Sequence, residues 1–180
     1  YTFSGNIIDS RLIDDFGYTE SAISLFKERY NLDGNIKELI LSSDDIRNKW
    51  QTFKVSNVTN MVKMISTAIK EANPSIMISA AVMSSLSSAI QTYAQDFGTW
   101  IKEGYVDNLD PMIYSGSNSY VLSRVELFIE TVNDDASIVI GISPDNSGGN
   151  VITISEQIEI ISKYLQLGFN EFSCKNIFSS

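Results

Sequence analysis

Four short apolar runs recur along this chain at a nearly constant interval. They begin near Ser75, Val106, Ser137 and Phe169, about 31 residues apart each time, which is the length of one strand, loop, helix and turn. The runs Ile76-Met77-Ile78-Ser79-Ala80-Ala81-Val82 and Ile138-Val139-Ile140-Gly141-Ile142 are apolar at almost every position. Strands of that kind are buried on both faces, as in a parallel sheet covered by helices. Amphipathic patterns at helical spacing fill the intervals: residues 94–103 with Phe97, Trp100 and Ile101, residues 120–132 with Val121, Val125, Phe128 and Ile129, and residues 153–167 with Ile154, Ile158, Ile161 and Leu165. Gly104 and Gly168 follow two of these helices, where a left-handed residue closes the last turn. The pattern predicts four β-α units over residues 75–180, the last incomplete.

The first 74 residues read differently. Residues 1–17 show no clear period and are expected to form a loop. Thr19 is a candidate N-cap for a helix that buries Ala22, Ile23, Phe26 and Tyr30 and wets Lys27, Glu28 and Arg29. A turn at Leu32-Asp33-Gly34 and a short helical piece to Leu41 follow. Ser43 or Asp44 then caps a long amphipathic helix carrying Trp50, Phe53, Met61, Val62, Met64, Ile65, Ala68 and Ile69, stopped by Asn73-Pro74.

Residues 1–180 are therefore read as a single α/β domain. Four parallel strands leave two raw edges, and a closed barrel of such units takes about 250 residues. The expected architecture is a partial (β/α)8 TIM barrel, its C-terminal half, with four parallel strands and covering helices. A homodimer could cover the exposed sheet edges. A doubly wound sheet has the same period, but neither G-x-G-x-x-G nor G-x-x-x-x-G-K-[ST] is present, and Gly148-Gly149 stands alone. No nucleotide or other cofactor is expected.

Composition narrows the chemistry. Acidic residues number 22 against 13 basic, a net charge of −9, so the surface repels phosphate backbones and no nucleic acid partner is expected. Histidine is absent, which removes Ser-His-Asp triads, Cys-His pairs and His-based zinc sites; no metal site is expected. The one cysteine, Cys174, has no internal disulfide partner and is expected to be a small core residue. No apolar run approaches the ~20 residues of a membrane span, and the opening Tyr1-Thr2-Phe3 carries no targeting signal.

Three stretches resemble one family. They are Trp50-Gln-Thr-Phe53-Lys54, then Asn73-Pro74-Ser-Ile-Met-Ile-Ser79-Ala80-Ala81-Val82, and above all Gln95-Asp96-Phe97-Gly-Thr-Trp100-Ile-Lys-Glu-Gly104-Tyr-Val106-Asp107-Asn-Leu-Asp-Pro111-Met112-Ile-Tyr114. They are similar to the bacterial glycosyl hydrolase-like 10 family, and the similarity extends through Ile140-Gly141-Ile142 and from Leu167 to Phe178. Lys54 stands where that family usually has Arg, and Phe97 where it usually has Trp; a lysine cannot form arginine's bidentate fork. The resemblance implies a TIM-barrel glycosidase, extracytoplasmic, acting on cell-envelope or other polysaccharides. It also implies that the family's paired-Asp strand would end at about Tyr1, so that this stretch alone is expected to lack glycosidase activity.

Glycoside hydrolysis uses two carboxyl groups about 5 to 9.5 Å apart, and barrel chemistry sits on the loops beyond the strands' C-terminal ends. Asp96 and Asp110 are the candidate catalytic residues. Asp96 opens a helix and is either a carboxylate at the cleft rim or a first-turn acid facing the helix dipole. Asp110 lies within a strand, either inward as a catalytic acid or outward against a helix. Tyr114, Met112 and Asp145 are the candidate substrate-binding residues: Tyr114 ends the strand and could stack on a sugar or simply pack, and Asp145 follows Pro144 in a long loop, where an ordinary turn acid is the competing reading. Asp107 starts its strand and is assigned to stability, Trp50 and Trp100 to the core. Asn57-Val58-Thr59 matches the glycosylation triplet, but within a helix. Two functions stand: a glycoside hydrolase domain contributing part of a glycan cleft, or a non-catalytic carbohydrate-binding or surface protein that keeps the barrel fold.

Overall fold

A computed structural model describes residues 16–132, 136–142 and the single positions 156, 159 and 162. The first helix, α1 (Glu20–Tyr30), starts where Thr19 Oγ1 accepts the Ala22 N–H at 3.2 Å. It stops at Asn31, which is left-handed at φ 50. Asn35 caps the short α2 (Ile36–Ser42), and Ser43, not Asp44, caps α3 (Asp44–Ala72), its Oγ accepting from Ile46 N. Asp44 and Asp45 instead occupy the first turn of α3, where they pair with Arg47 and Lys49, each at 2.6 Å, and face the positive end of the helix dipole. The 29 residues of α3 give it a length of about 43 Å.

That length lets α3 serve two cores. Its first half buries Trp50 and Phe53 against Phe26, Ile36 and Ile40, with Trp50 stacked on Tyr18 at 5.0 Å and edge-on to Phe26 at 4.9 Å. Its second half lays Val58 and Val62 on the core of the sheet. The sheet comprises β1 (Ser79–Met83), β2 (Asn108–Ile113), β3 (Ser137–Ile138) and β4 (Gly141–Ile142), every pairing parallel. β2 lies between β1 on one side and β3 and β4 on the other, so the strands stand in chain order. The crossovers are α4 (Leu86–Tyr93) and α5 (Phe97–Lys102) after β1, and α6 (Asn118–Val132) after β2. Val82, Leu109, Ile113, Ile140 and Ile142 point to the helices and are buried with Trp100, Ile101, Val121 and Val125, while Phe97 stacks on Phe128 at 5.1 Å. This is a mixed α/β fold with a parallel sheet and covering helices, compatible with part of a barrel.

β3 and β4 are one strand interrupted opposite a proline. The register runs from Leu109–Ile138 to Met112–Gly141 without slippage, so Pro111 stands level with Ile140 in the interval. Proline has no N–H to give to the ladder there.

Several expectations change. The run near Ser75 becomes a strand only at Ser79, leaving Ile76 and Met77 exposed, and the run near Val106 only at Asn108. The helix expected at 94–103 is shorter, α5 starting only after the Asp96 cap, and a further helix that the pattern did not announce, α4, precedes it and ends at Ala94, left-handed at φ 56. Ser85 caps α4, which the serine-rich stretch 84–88 had concealed, because serine competes for backbone hydrogen bonds within helices yet favours their starts. Gly104 does adopt the left-handed conformation, at φ 67. Along α3, Met61, Met64 and Ile65 share the helical period but not the core: they are exposed, as the sheet receives the Val58 and Val62 stripe instead. Of the helix expected at 153–167 only Glu156, Glu159 and Ser162 are described, and all three are helical; the fourth unit near Phe169, Gly168 and Cys174 fall outside the described residues.

Candidate functional site

Alternation along the strands divides their side chains between two faces. Val82, Leu109 and Ile113 meet the helices, so Ser79, Ala81 and Met83 of β1 and Asn108, Asp110 and Met112 of β2 occupy the other face, which no described helix covers. Ser79 and Ala81 are exposed there, and Asp110 is half-buried.

Asp110 therefore lies on the sheet face turned away from the described helices. One of its carboxylate oxygens, Oδ2, accepts a short hydrogen bond from the Ser79 hydroxyl, and Oδ1 accepts another from the Asn108 amide. Asn108 Nδ2 also donates to Ser79 Oγ at 3.1 Å, which closes a ring of three side chains. Ser79 pairs with Asn108 in the register, while Asp110 lies opposite Ala81, so the carboxylate reaches back toward the strand starts. Asn108 is only 6% exposed, and its Oδ1 has no partner among the described residues. Leaving a buried oxygen of this kind unpaired costs about 1–3 kcal/mol.

The C-terminal ends of the strands carry a second group. Met83 and Met112 pair in register and are half-buried. Tyr114, just beyond β2, is 44% exposed and lies across Gly141: a Cβ there would stand 3.4 Å from Tyr114 Cε1 and 3.2 Å from the Pro111 carbonyl oxygen. Gly141 thus makes room for the phenol. The loop after β1 is tied to the start of α6 by Ser84 Oγ and Tyr120 Oη at 2.9 Å, with Arg124 over the Tyr120 ring at 5.2 Å. Gln95 Oε1 accepts from Met83 N at 3.2 Å, which fixes the turn between α4 and α5 against the end of β1.

The two expected catalytic carboxylates do not share an environment. Asp96 is the N-cap of α5, its Oδ1 accepting from Thr99 N at 3.2 Å and its Oδ2 from Thr99 Oγ1 at 2.7 Å. Both oxygens serve the helix start. Tyr114 and Met112 lie at the strand ends, above Asp110, and Asp145 lies outside the described residues. Asp107 sits at the opposite end of the sheet, where it accepts from Lys70 Nζ at 2.7 Å and from Ile78 N at 2.8 Å. Burial acts to raise its pKa, but the hydrogen bonds from Lys70 and Ile78 and the Lys70 charge outweigh that and hold it below the ordinary carboxylate value. Lys54 is buried beside Gly17, with its ammonium 5.1 Å from the centre of the Phe16 ring. Trp50 and Trp100 are core residues, 1% and 3% exposed. Thr59, the end of the Asn57 triplet, accepts from Trp100 Nε1 at 3.1 Å.

Sequence reasoning passed over Ser79, Asn108, Gln95 and Tyr120. Ser79 and Asn108 were detectable in principle, since period-two alternation from Asp110 lands on Asn108, and a parallel neighbour about one unit earlier lands on Ser79. Tyr120 and Gln95 depend on loop geometry that has no period. Among the described residues no group of acidic or thiol side chains is arranged to hold a metal ion.

A parallel sheet with one face packed by helices and the other bearing a hydrogen-bonded carboxylate defines the chain as an α/β domain whose second sheet face no described helix covers. The family model described as glycosyl hydrolase-like 10 matches residues 7–144, well over half of the 180, and the chain belongs to that family: it is a glycoside hydrolase-like domain. No curated protein and no solved structure matches it. Among the described residues no helix is long and apolar enough to cross a membrane.

Proposed function

We propose that this domain forms part of the glycan cleft of an extracytoplasmic glycoside hydrolase acting on cell-envelope or other polysaccharides. Asp110 is the single observation that carries the reading: among the described residues it is the one carboxylate on the helix-free face of β1 and β2. In this proposal Asp110 supplies one of the two carboxyl groups of glycoside hydrolysis, and a second comes from outside the described residues. Tyr114, with Met112 beneath it, offers an exposed ring on which a sugar can stack. Asp145, outside the described residues, is proposed as a further substrate-binding residue. Asp96 joins the chemistry only by releasing Thr99 from its cap. The edge of β1 that no described strand covers is where pairing with a second copy is proposed.

The alternative, a carbohydrate-binding domain without catalysis, is favoured by one observation: both oxygens of Asp96 are committed to α5. Reducing-end release by the full-length gene product, and retention of this chain on insoluble and soluble polysaccharides, separate the two. The expected result is hydrolysis that Asp110→Asn abolishes and binding that Tyr114→Ala weakens. Hydrolysis that survives Asp110→Asn refutes the catalytic assignment, and binding with no hydrolysis by the full-length product establishes the alternative.

A further inference from the structure

We infer that Asn108 is a positioning residue for Asp110, acting with Ser79 to set the orientation of its carboxylate on the helix-free face of the sheet. The inference rests on the proposed reading of Asp110.

The direction of the hydrogen bonds carries the argument. Within the ring, Asn108 donates twice, Ser79 accepts once and donates once, and Asp110 only accepts, once on each oxygen. On a face that no described helix packs, the Asp110 side chain has its staggered χ1 wells and its broad last torsion open to it. A donor on each oxygen removes that freedom. The trio is not needed to join the strands, because the β1–β2 ladder already runs in register from Ser79–Asn108 to Met83–Met112. Nor does Asn108 favour folding by its own burial, since its Oδ1 has no donor among the described residues. An apolar residue of similar volume would bury there at lower cost. A polar side chain kept at a position where it weakens the fold marks a site serving something other than the fold.

Asn108→Val removes both donors without a large change in volume, and Ser79→Ala removes the hydroxyl at an exposed position that folding tolerates. Ser79→Thr restores the hydroxyl. The readouts are the three-bond couplings that report the Asp110 χ1 rotamer, the melting temperature, and kcat and KM on a polysaccharide that the full-length gene product hydrolyses. In the parent chain Asp110 is expected to show one rotamer. Asn108→Val and Ser79→Ala are expected to give averaged couplings, Ser79→Thr to recover the parent pattern, and Asn108→Val to melt no lower than the parent. The corresponding kcat falls by on the order of a hundredfold, with KM changed by less than about twofold.

Unchanged Asp110 couplings in both Asn108→Val and Ser79→Ala overturn the inference. So does a lower melting temperature in Asn108→Val with the couplings preserved, which makes Asn108 a tie between strands. If the couplings respond but no glycan is hydrolysed, the proposed function fails while the positioning of Asp110 stands.

Discussion

Replacing Trp50 tests how the two halves of the molecule are joined. The indole is 1% exposed and packs on Tyr18, Phe26 and Phe53, so Trp50→Ala should cost about 3–5 kcal/mol, as for other buried aromatics. Trp50→Phe is a different perturbation. The smaller ring gives up roughly 50 Å² of apolar contact, about 1.3 kcal/mol at 25 cal/mol per Å². It also removes Trp50 Nε1–H, which is buried with no partner among the described residues and costs about 1–3 kcal/mol as it stands. The two effects nearly cancel, and Trp50→Phe should be within about 1.5 kcal/mol of the parent. The chain has two tryptophans, so either variant leaves Trp100 as the only indole, and Trp100 lies in the other core, against the sheet. Urea unfolding followed by Trp100 fluorescence therefore reports at a distance. With a slope near 2 kcal/mol per M, Trp50→Ala should lower the Trp100 midpoint by about 1.5–2.5 M. A midpoint that does not move means that the cores unfold independently and that α3 does not couple them. A Trp50→Phe variant as unstable as Trp50→Ala refutes the cost assigned to the unpaired N–H.

Three further outcomes follow from the geometry. Thr59→Val keeps the shape of the side chain but strips Trp100 Nε1 of its acceptor, and thermal unfolding should show a loss of about 1–3 kcal/mol; a loss below about 0.5 kcal/mol means the bond contributes nothing net. Gly141→Ala brings a methyl group against the Pro111 carbonyl and the Tyr114 ring, and should cost about 1 kcal/mol while displacing Tyr114; unchanged stability together with unchanged polysaccharide retention counts against Tyr114 as the platform. The folded-state pKa of Asp107 lies below its unfolded value of 3.8, so its contribution to stability is complete above that value and is lost as pH falls through the folded one. Asp107→Asn should therefore flatten the acid limb of a pH titration of stability, and an identical acid limb in parent and variant rules out the Lys70 pair as its source.

Much of the fold was legible because apolar burial has a period. The spacing of the strand-like runs located β1, β2 and the strand from Ser137, and the capping roles of Thr19 and Ser43 and the left-handed Gly104 followed from local backbone chemistry alone. What periodicity could not supply was the identity of the neighbour. Met61, Met64 and Ile65 sit on a helical stripe as regular as that of Val58 and Val62, yet only the latter meets the sheet. α4 and its end at Ala94 were hidden for a related reason: the helical pattern was read as starting at Ala94, and alanine, the strongest helix former, gives no warning of a left-handed cap. At the site, Asp110 was placed on its strand from the sequence, and the face it takes follows from Leu109 turning to the helices. Asp96 could be read as rim acid or first-turn acid, and its two bonds to Thr99 place it as the cap of α5. The tie between Asp110, Ser79 and Asn108 needed the register of two strands, which no single segment contains.

The exposed stripe on α3 gives the molecule a built-in chemical label. The chain has five methionines; Met61, Met64 and Met77 are 53%, 71% and 66% exposed, whereas Met83 and Met112 are half-buried at the strand ends. Mild peroxide converts accessible thioethers to sulfoxides first. Peptide mass spectrometry after a short pulse would then read two surfaces at once, the outer side of α3 from Met61 and Met64 and the Tyr114 rim from Met83 and Met112, with Met77, in the connection before β1, as an exposed reference. Protection of Met61 and Met64 would report cover over α3, and protection of Met83 and Met112 would report occupancy of the rim.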